Sequence, residues 1–262
     1  MSNEIRGQRR NFLKQAASLG ALSMLPATSI FSTPLAANTG KAGDGYTFLF
    51  QGDSITDGNR TRDKDWNHVM GHGFAYLIAS RLCYDFPKKG FHFFNRGISG
   101  NKVPDLVARW QADAVDIKPD VLNILVGIND VDALLHGDQH FTAAQFEQDY
   151  RQLLNQTKQA LPNTTLVINE PFILPVGRIK ERWDEYSKEM IQRRAIAKKL
   201  SKEFNAIFVE FQSAFDKALS KAPADYWIWD GIHPMPAGHE LMAREWIKTV
   251  SKRLNFIYLR QE

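Results

Sequence analysis

The stretch "DVLNILVG", Asp120 to Gly127, carries Val121, Leu122, Ile124, Leu125 and Val126 with almost no polar interruption. Side chains on a strand alternate between faces, so this run is apolar on both faces. Such a strand suits the interior of a parallel sheet covered by helices on each side. Upstream, "VPDLVARWQADAVDI" (103–117) predicts a helix with Leu106, Val107, Trp110 and Val115 inward. Downstream, "TAAQFEQDYRQLLNQTKQAL" (142–161) predicts a long amphipathic helix opened by Thr142 as N-cap.

The same alternation extends in both directions. "YTFLF" (46–50), "GFHFFN" (90–95), "TTLVIN" (164–169) and "AIFVEF" (206–211) read as four more strands. "GFAYLIASRLCYDF" (73–86) reads as a helix with Phe74, Leu77, Ile78, Ala79 and Leu82 at helical spacing. Further helices are expected over about 184–204 and over "AGHELMAREWIKTVSKRL" (237–254). Strands that alternate with helices require crossover connections, and hence a five-stranded parallel sheet between helical layers. The expected fold is one flavodoxin-like three-layer α/β/α domain. In such sheets ligands bind beyond the carboxyl ends of the strands.

The 262 residues are 44% hydrophobic and 24% charged, the profile of a soluble globular protein. The single cysteine, Cys83, lies in an apolar segment and is expected to be a small core residue. The N-terminus differs from the rest. "QRRNFLK" (8–14) precedes the weakly apolar "QAASLGALSMLPATSIF" and then small residues. This pattern resembles a twin-arginine export signal. Gly20 and Pro26 break the apolar run, which argues against a stable membrane anchor. Residues 1–37 are therefore expected to be an export signal read by the twin-arginine machinery, and 38–262 the functional domain. The destination is periplasmic or secreted. The signal holds Arg6, Arg9, Arg10 and Lys14 against Glu4, so its removal takes the net charge from +4 to +1. The remaining chain has no basic cluster suited to nucleic acid.

Four segments fall where this fold would place chemistry. They are Gly52-Asp53-Ser54-Ile55-Thr56-Asp57-Gly58, Asn95-Arg96-Gly97-Ile98-Ser99-Gly100-Asn101, Gly127-Ile128-Asn129-Asp130 and Asp230-Gly231-Ile232-His233-Pro234. Acyl transfer by a serine needs a hydroxyl, a base, a carboxylate to orient the base, and donors for the oxyanion. Ser54 supplies the hydroxyl and His233 the imidazole. Asp230, three residues earlier, can reach the far ring nitrogen. The Gly100 N–H, the Asn129 amide and the Ser54 N–H can receive the oxyanion. Gly97 competes with Gly100 for the glycine role.

These four blocks, in this order, resemble those of the GDSL/SGNH hydrolases. The resemblance spans about 190 residues and implies the SGNH hydrolase fold. It assigns the nucleophile to Ser54, the oxyanion donors to Ser54, Gly100 and Asn129, and the Asp-x-x-His pair to Asp230 and His233. The strings "QGDSITD", "NRGISGN", "ARW", "GIND" and "HP…AGH" look closest to the carbohydrate acetylesterase branch, which deacetylates xylan and similar glycans. The resemblance therefore implies a small-molecule or glycan ester as substrate. No cofactor or metal is expected.

Trp66, Trp227 and Trp229 are candidates for stacking on a sugar ring; Trp110 and Trp183 are expected to pack. Asp53 is expected to cap its turn and Asp130 to brace its loop. Asp57 and Asp65 have no evident partner. His68 and His72 stand four apart but lack a metal motif, and His92 and His239 read as structural. The loops 59–73 and 169–183 are expected to wall the cleft. A lysophospholipase or thioesterase on the same fold, an acetyltransferase, and a non-catalytic glycan-binding protein are the rival readings.

Overall fold

The computed structural model describes residues 43–257 apart from Lys64 and Trp66. The export-signal expectation and the Trp66 assignment lie outside these residues. Five strands form one parallel sheet: β1 (Thr47–Gly52), β2 (His92–Asn95), β3 (Val121–Leu125), β4 (Thr165–Asn169) and β5 (Ile207–Val209). Their order is β2-β1-β3-β4-β5, the flavodoxin-like arrangement. Connections leave β1 towards β2 on one side and resume at β3 on the other. A crevice therefore opens between the carboxyl ends of β1 and β3.

The helices are α1 (Ser54–Asp57), α2 (Phe74–Asp85), α3 (Val103–Trp110), α4 (Ile128–Leu135), α5 (Ala143–Ala160), α6 (Trp183–Glu203), α7 (Phe211–Ala218), α8 (Ala224–Trp227) and α9 (Pro236–Val250). The decisive strand behaves as its sequence requires. Val121 and Leu125 join Phe48, Phe50, Trp246 and Phe211 in the core on one face of the sheet. Leu122 and Ile124 join Leu49, Trp110, Tyr150 and Leu200 on the other. Thr142 caps α5, accepting from the Gln145 N–H at 3.3 Å. Among the described residues no helix is long and apolar enough to cross a membrane.

Three local expectations change. Helix α3 passes into a π-helical turn over Gln111–Val115. Ala114, one helical turn after Trp110, is buried, while Val115, expected inward, is half-buried and packs against the same core. Cys83 is exposed, because the inward stripe of α2 runs through Phe74, Ala75, Ile78, Ala79 and Leu82 and leaves position 83 on the outer side. The helices α1, α4, α7 and α8 add to the elements read from the sequence.

Candidate active site

The crevice receives each of the four blocks. Strand β1 ends at Gly52, and Asp53 turns the chain into α1 by capping it: its Oδ1 accepts from the Ile55 N–H at 3.0 Å. Ser54 is thus the first helical residue, partly exposed above a buried Asp53. Burial pushes the Asp53 carboxyl up to about 7, against the opposing pull of the Ile55 N–H and His233. The capping role expected of Asp53 is the one it plays.

His233 lies on the loop before α9. Its Nε2 stands 2.8 Å from Ser54 Oγ, and its Nδ1 stands 2.7 Å from Asp230 Oδ2. Asp230 Oδ1 accepts from the backbone N–H groups of Ile232 at 3.0 Å and His233 at 2.7 Å. Burial alone would raise the Asp230 carboxyl. The His233 ring, the two backbone donors and the His233 charge outweigh burial and hold it at about 2. An ionised Asp230 keeps the proton on Nδ1, so Nε2 is free to accept from the serine. Arg178 adds a further cation, its Nε 3.5 Å from Asp230 Oδ2 and its Nη1 3.7 Å from Asp132 Oδ1. The loop is gripped from behind as well: Leu174 N–H donates to Gly231 O at 3.0 Å and Arg178 N–H to Asp230 O at 3.1 Å.

The two candidate glycines separate clearly. Gly97 packs so tightly under α1 that a Cβ there would lie 2.3 Å from the Asp57 nitrogen. Its N–H is already donated to Asn95 Oδ1 at 2.9 Å. Gly100 has a φ of +83°, with open space where a Cβ would stand. Its N–H takes no partner among the described residues. Asn129 is the second residue of α4, and its Nδ2 donates to Asn101 O at 3.1 Å. One amide hydrogen ties the α4 end to the Gly100 loop and the other remains available. The Ser54 N–H heads α1 without a partner among the described residues. The sheet thus presents three donors on three neighbouring strand ends, beside a serine already bonded to a base. That arrangement can perform nucleophilic acyl transfer with a stabilised oxyanion.

Of the tryptophans, Trp229 is exposed (60%) and lies nearly parallel to the His233 ring, centroids 6.3 Å apart at 24°. Trp227 is half-buried; its Nε1 donates to Ala222 O at 3.2 Å and its ring packs on the core. Trp227 therefore does not share the position of Trp229. Asp130 braces the structure as expected, accepting from the Val103 N–H at 3.3 Å. His239 is buried, and its Nδ1 accepts from the Phe74 N–H at 3.1 Å, capping α2.

Asp57, without an evident partner in the sequence, is a hub. It accepts from the Arg60 N–H at 3.1 Å, from the two terminal nitrogens of Arg62 at 3.1 and 2.5 Å, and from the Ser99 N–H at 3.2 Å. It thereby ties the Ser54 turn to the loop after β2. Nothing local in "SITDG" signals this, because every partner comes from beyond the turn.

Residues 50–241 match the GDSL-like lipase/acylhydrolase family. An acetylxylan esterase from Geobacillus stearothermophilus is 32% identical over 216 residues, which cover 80% of this chain and 96% of that protein. A crystal structure from Parabacteroides merdae, described as a GDSL-like lipase, superposes with a TM-score of 0.77 at 42% identity, covering 80% of this chain and 98% of that one. A structure of Axe2, the acetylxylan esterase of Geobacillus stearothermophilus, gives a TM-score of 0.72 at 32% identity over 79% of this chain and 95% of that one. Axe2 structures include catalytic mutants in which a serine, an aspartate or a histidine is replaced by alanine, the aspartate three positions before the histidine.

Proposed function

The chain belongs to the GDSL-like lipase/acylhydrolase family and is a carboxylic ester hydrolase, and from that premise we propose that it is an exported acetylesterase acting on a carbohydrate through a Ser54-His233-Asp230 triad. The observation that carries the reading is the unbroken relay from Ser54 Oγ to His233 Nε2 at 2.8 Å and from His233 Nδ1 to Asp230 Oδ2 at 2.7 Å. His233 takes the serine proton as Oγ attacks the acetyl carbonyl. Negative charge grows on the carbonyl oxygen, towards the N–H groups of Ser54 and Gly100 and the free amide hydrogen of Asn129. The imidazolium returns the proton to the leaving sugar oxygen, and an acetyl-Ser54 remains. Water, deprotonated by His233, then releases acetate.

The carbohydrate preference is supported by the exposed Trp229 face beside His233, since apolar sugar faces pack on indole, and by the similarity to an acetylxylan esterase. The three Axe2 catalytic mutants support the triad, with the same Asp-x-x-His spacing. Export rests on the twin-arginine pattern of residues 8–14 and makes residues 1–37 a leader and 38–262 the mature domain.

The test is an acyl-chain series of p-nitrophenyl esters followed by acetylated xylooligosaccharides. Acetyl esters should be cleaved far faster than octanoyl esters, and Ser54→Ala should lose on the order of 10⁶ in kcat while remaining folded. A peak at eight carbons or more would move the protein to the lipase reading. Wild-type turnover by a clean Ser54→Ala preparation would remove the triad.

A further inference from the structure

Arg109 lies on α3, behind the loop that carries Gly100, and its side chain is largely buried. Its guanidinium faces five acceptors. Nη1 donates to Gln51 Oε1 at 2.9 Å, to Arg96 O at 2.8 Å and to Asp113 Oδ2 at 3.0 Å. Nε donates to Asn101 Oδ1 at 2.8 Å, and Nη2 reaches Gly52 O at 3.4 Å. Gln51 and Gly52 end β1, two residues before Ser54. Arg96 and Asn101 bracket the loop that contains Gly100.

The contact to Asn101 has a consequence at the reacting end. Asn101 follows Gly100 directly, and its carbonyl accepts from Asn129 Nδ2 at 3.1 Å. One residue is thus held from behind by Arg109 through its side chain and from in front by Asn129 through its backbone. The π-helical turn over Gln111–Val115 completes the device. Asp113, within it, stands four residues after Arg109, the usual spacing of a helical ion pair, and its carbonyl accepts from Gln51 Nε2 at 2.7 Å. A planar five-donor fork can hold this set of acceptors in one orientation; an ammonium cannot.

We propose that Arg109 is a positioning residue for the oxyanion site: acting through Asn101, it fixes the Gly100 N–H and the Asn129 amide relative to Ser54. The proposal rests on the reading of Gly100 and Asn129 as oxyanion donors. Arg109 touches neither substrate nor nucleophile. Its effect appears where charge develops, because donors displaced by a fraction of an ångström still admit the ester but no longer meet the oxyanion.

The experiment compares wild type, Arg109→Lys, Asn101→Ala and the double variant on p-nitrophenyl acetate, with thermal melts to establish folding. Arg109→Lys keeps the charge and loses the fork. It should lower kcat by about tenfold to a hundredfold with KM changed by less than about threefold. Asn101→Ala removes the side-chain anchor and keeps the backbone carbonyl, and should lose kcat in the same way. The double variant should be no more than about threefold worse than the worse single, since both act through one contact. Affinity for phenylboronic acid, which forms a tetrahedral adduct on a reactive serine, should fall in parallel with kcat. Wild-type-like kcat in folded Arg109→Lys, additive losses in the double variant, or a rise in KM alone would overturn the proposal. Asn129→Ala in the same assay separates it from its premise. If Asn129→Ala raises KM and spares kcat, the oxyanion reading fails; if it lowers kcat while Arg109→Lys does not, only the role of Arg109 fails.

Discussion

Replacing Asp230 by asparagine puts the orienting carboxylate under a test whose size can be worked from its contacts. Each carboxylate oxygen has its own task. Oδ1 accepts from the Ile232 and His233 N–H groups at 3.0 and 2.7 Å, and Oδ2 faces His233 Nδ1 at 2.7 Å. Asparagine has one oxygen for both. Turned to the ring, it sets its NH₂ against two backbone donors and forfeits two hydrogen bonds, about 2 kcal/mol in all. Turned to the backbone, it presents a donor to Nδ1 and drives the imidazole to the tautomer with the proton on Nε2. The second arrangement wins by roughly thirtyfold, and in it Nε2 cannot accept from Ser54. Loss of the anion beside the developing imidazolium removes a charge-assisted bond and costs about another ten- to a hundredfold. The expected fall in kcat/KM for p-nitrophenyl acetate is therefore on the order of 10³, near the ~10⁴ seen for the same change in a serine protease. A pH series from about 5 to 9 adds a second readout. The Asp230 carboxyl, held at about 2, stays ionised throughout, so its removal takes an anion from beside His233 and the acid limb should move to lower pH. Loss of less than about tenfold with an unmoved limb would show that Asp230 only braces its loop and that Ser54 and His233 work as a dyad.

Asn129→Ala should lower kcat by roughly 10²–10³ with little change in KM, as measured by steady-state kinetics, because its free amide hydrogen meets charge only in the transition state. Changing Arg9 and Arg10 together to lysine should leave the precursor in the cytoplasm, and fractionation that still finds it exported would contradict the twin-arginine reading. His239 gives a stability prediction. Burial, helped by His72 and His233, depresses its imidazole to about 4 from an unfolded value near 6.5. The unfolded chain then binds the extra proton first, so stability contributed by neutral His239 is full above about pH 6.5 and drains away towards pH 4, by up to about 3 kcal/mol. Asp53 and Asp130, both raised to about 7 mainly by burial, change stability in the opposite sense over that range. Comparison with His239→Asn isolates the histidine: in urea titrations the wild-type advantage should shrink from pH 7 to pH 4.5, and a constant gap would contradict the assignment.

The sheet was legible because burial leaves a record in composition. "DVLNILVG" is apolar at both parities, and its side chains enter the cores on both faces. Long helices with a wet side, α5 and α9, announce themselves by periodicity. What escaped was short or locally ambiguous. "INDVDALL" forms α4 although Asn129, Asp130 and Asp132 give it the look of a loop; Asp130 is buried because it accepts from the Val103 N–H on α3. Helix α7 did carry a signal, since Phe211, Ala214, Phe215 and Ala218 are buried at helical spacing. It was masked by its junction with the β-rich "AIFVEF" before it. Cys83 misled because apolar neighbours in sequence do not fix which side of a helix a residue occupies.

The site divides along the same physical line. Ser54, Gly100, Asn129, Asp230 and His233, the proposed catalytic set, could be picked out as candidates because each lies in a short segment at a strand end or before a helix, and the fold brings such segments together. Asp57, Arg109 and Arg178 could not. A carboxylate that gathers Arg60, Arg62 and Ser99, or a guanidinium that bridges Gln51, Arg96 and Asn101, is defined by partners far apart in sequence. Their local strings, "SITD" and "ARW", would look the same on a solvated face. A motif string can therefore mark a residue without disclosing its partners: Asp57 stands in "QGDSITD" and Arg109 in "ARW", yet what each holds together is a three-dimensional pattern of donors and acceptors. Since a displacement of about 1 Å can cost a hundredfold in rate, such supporting residues can weigh as heavily on kcat as some of the proposed catalytic residues themselves.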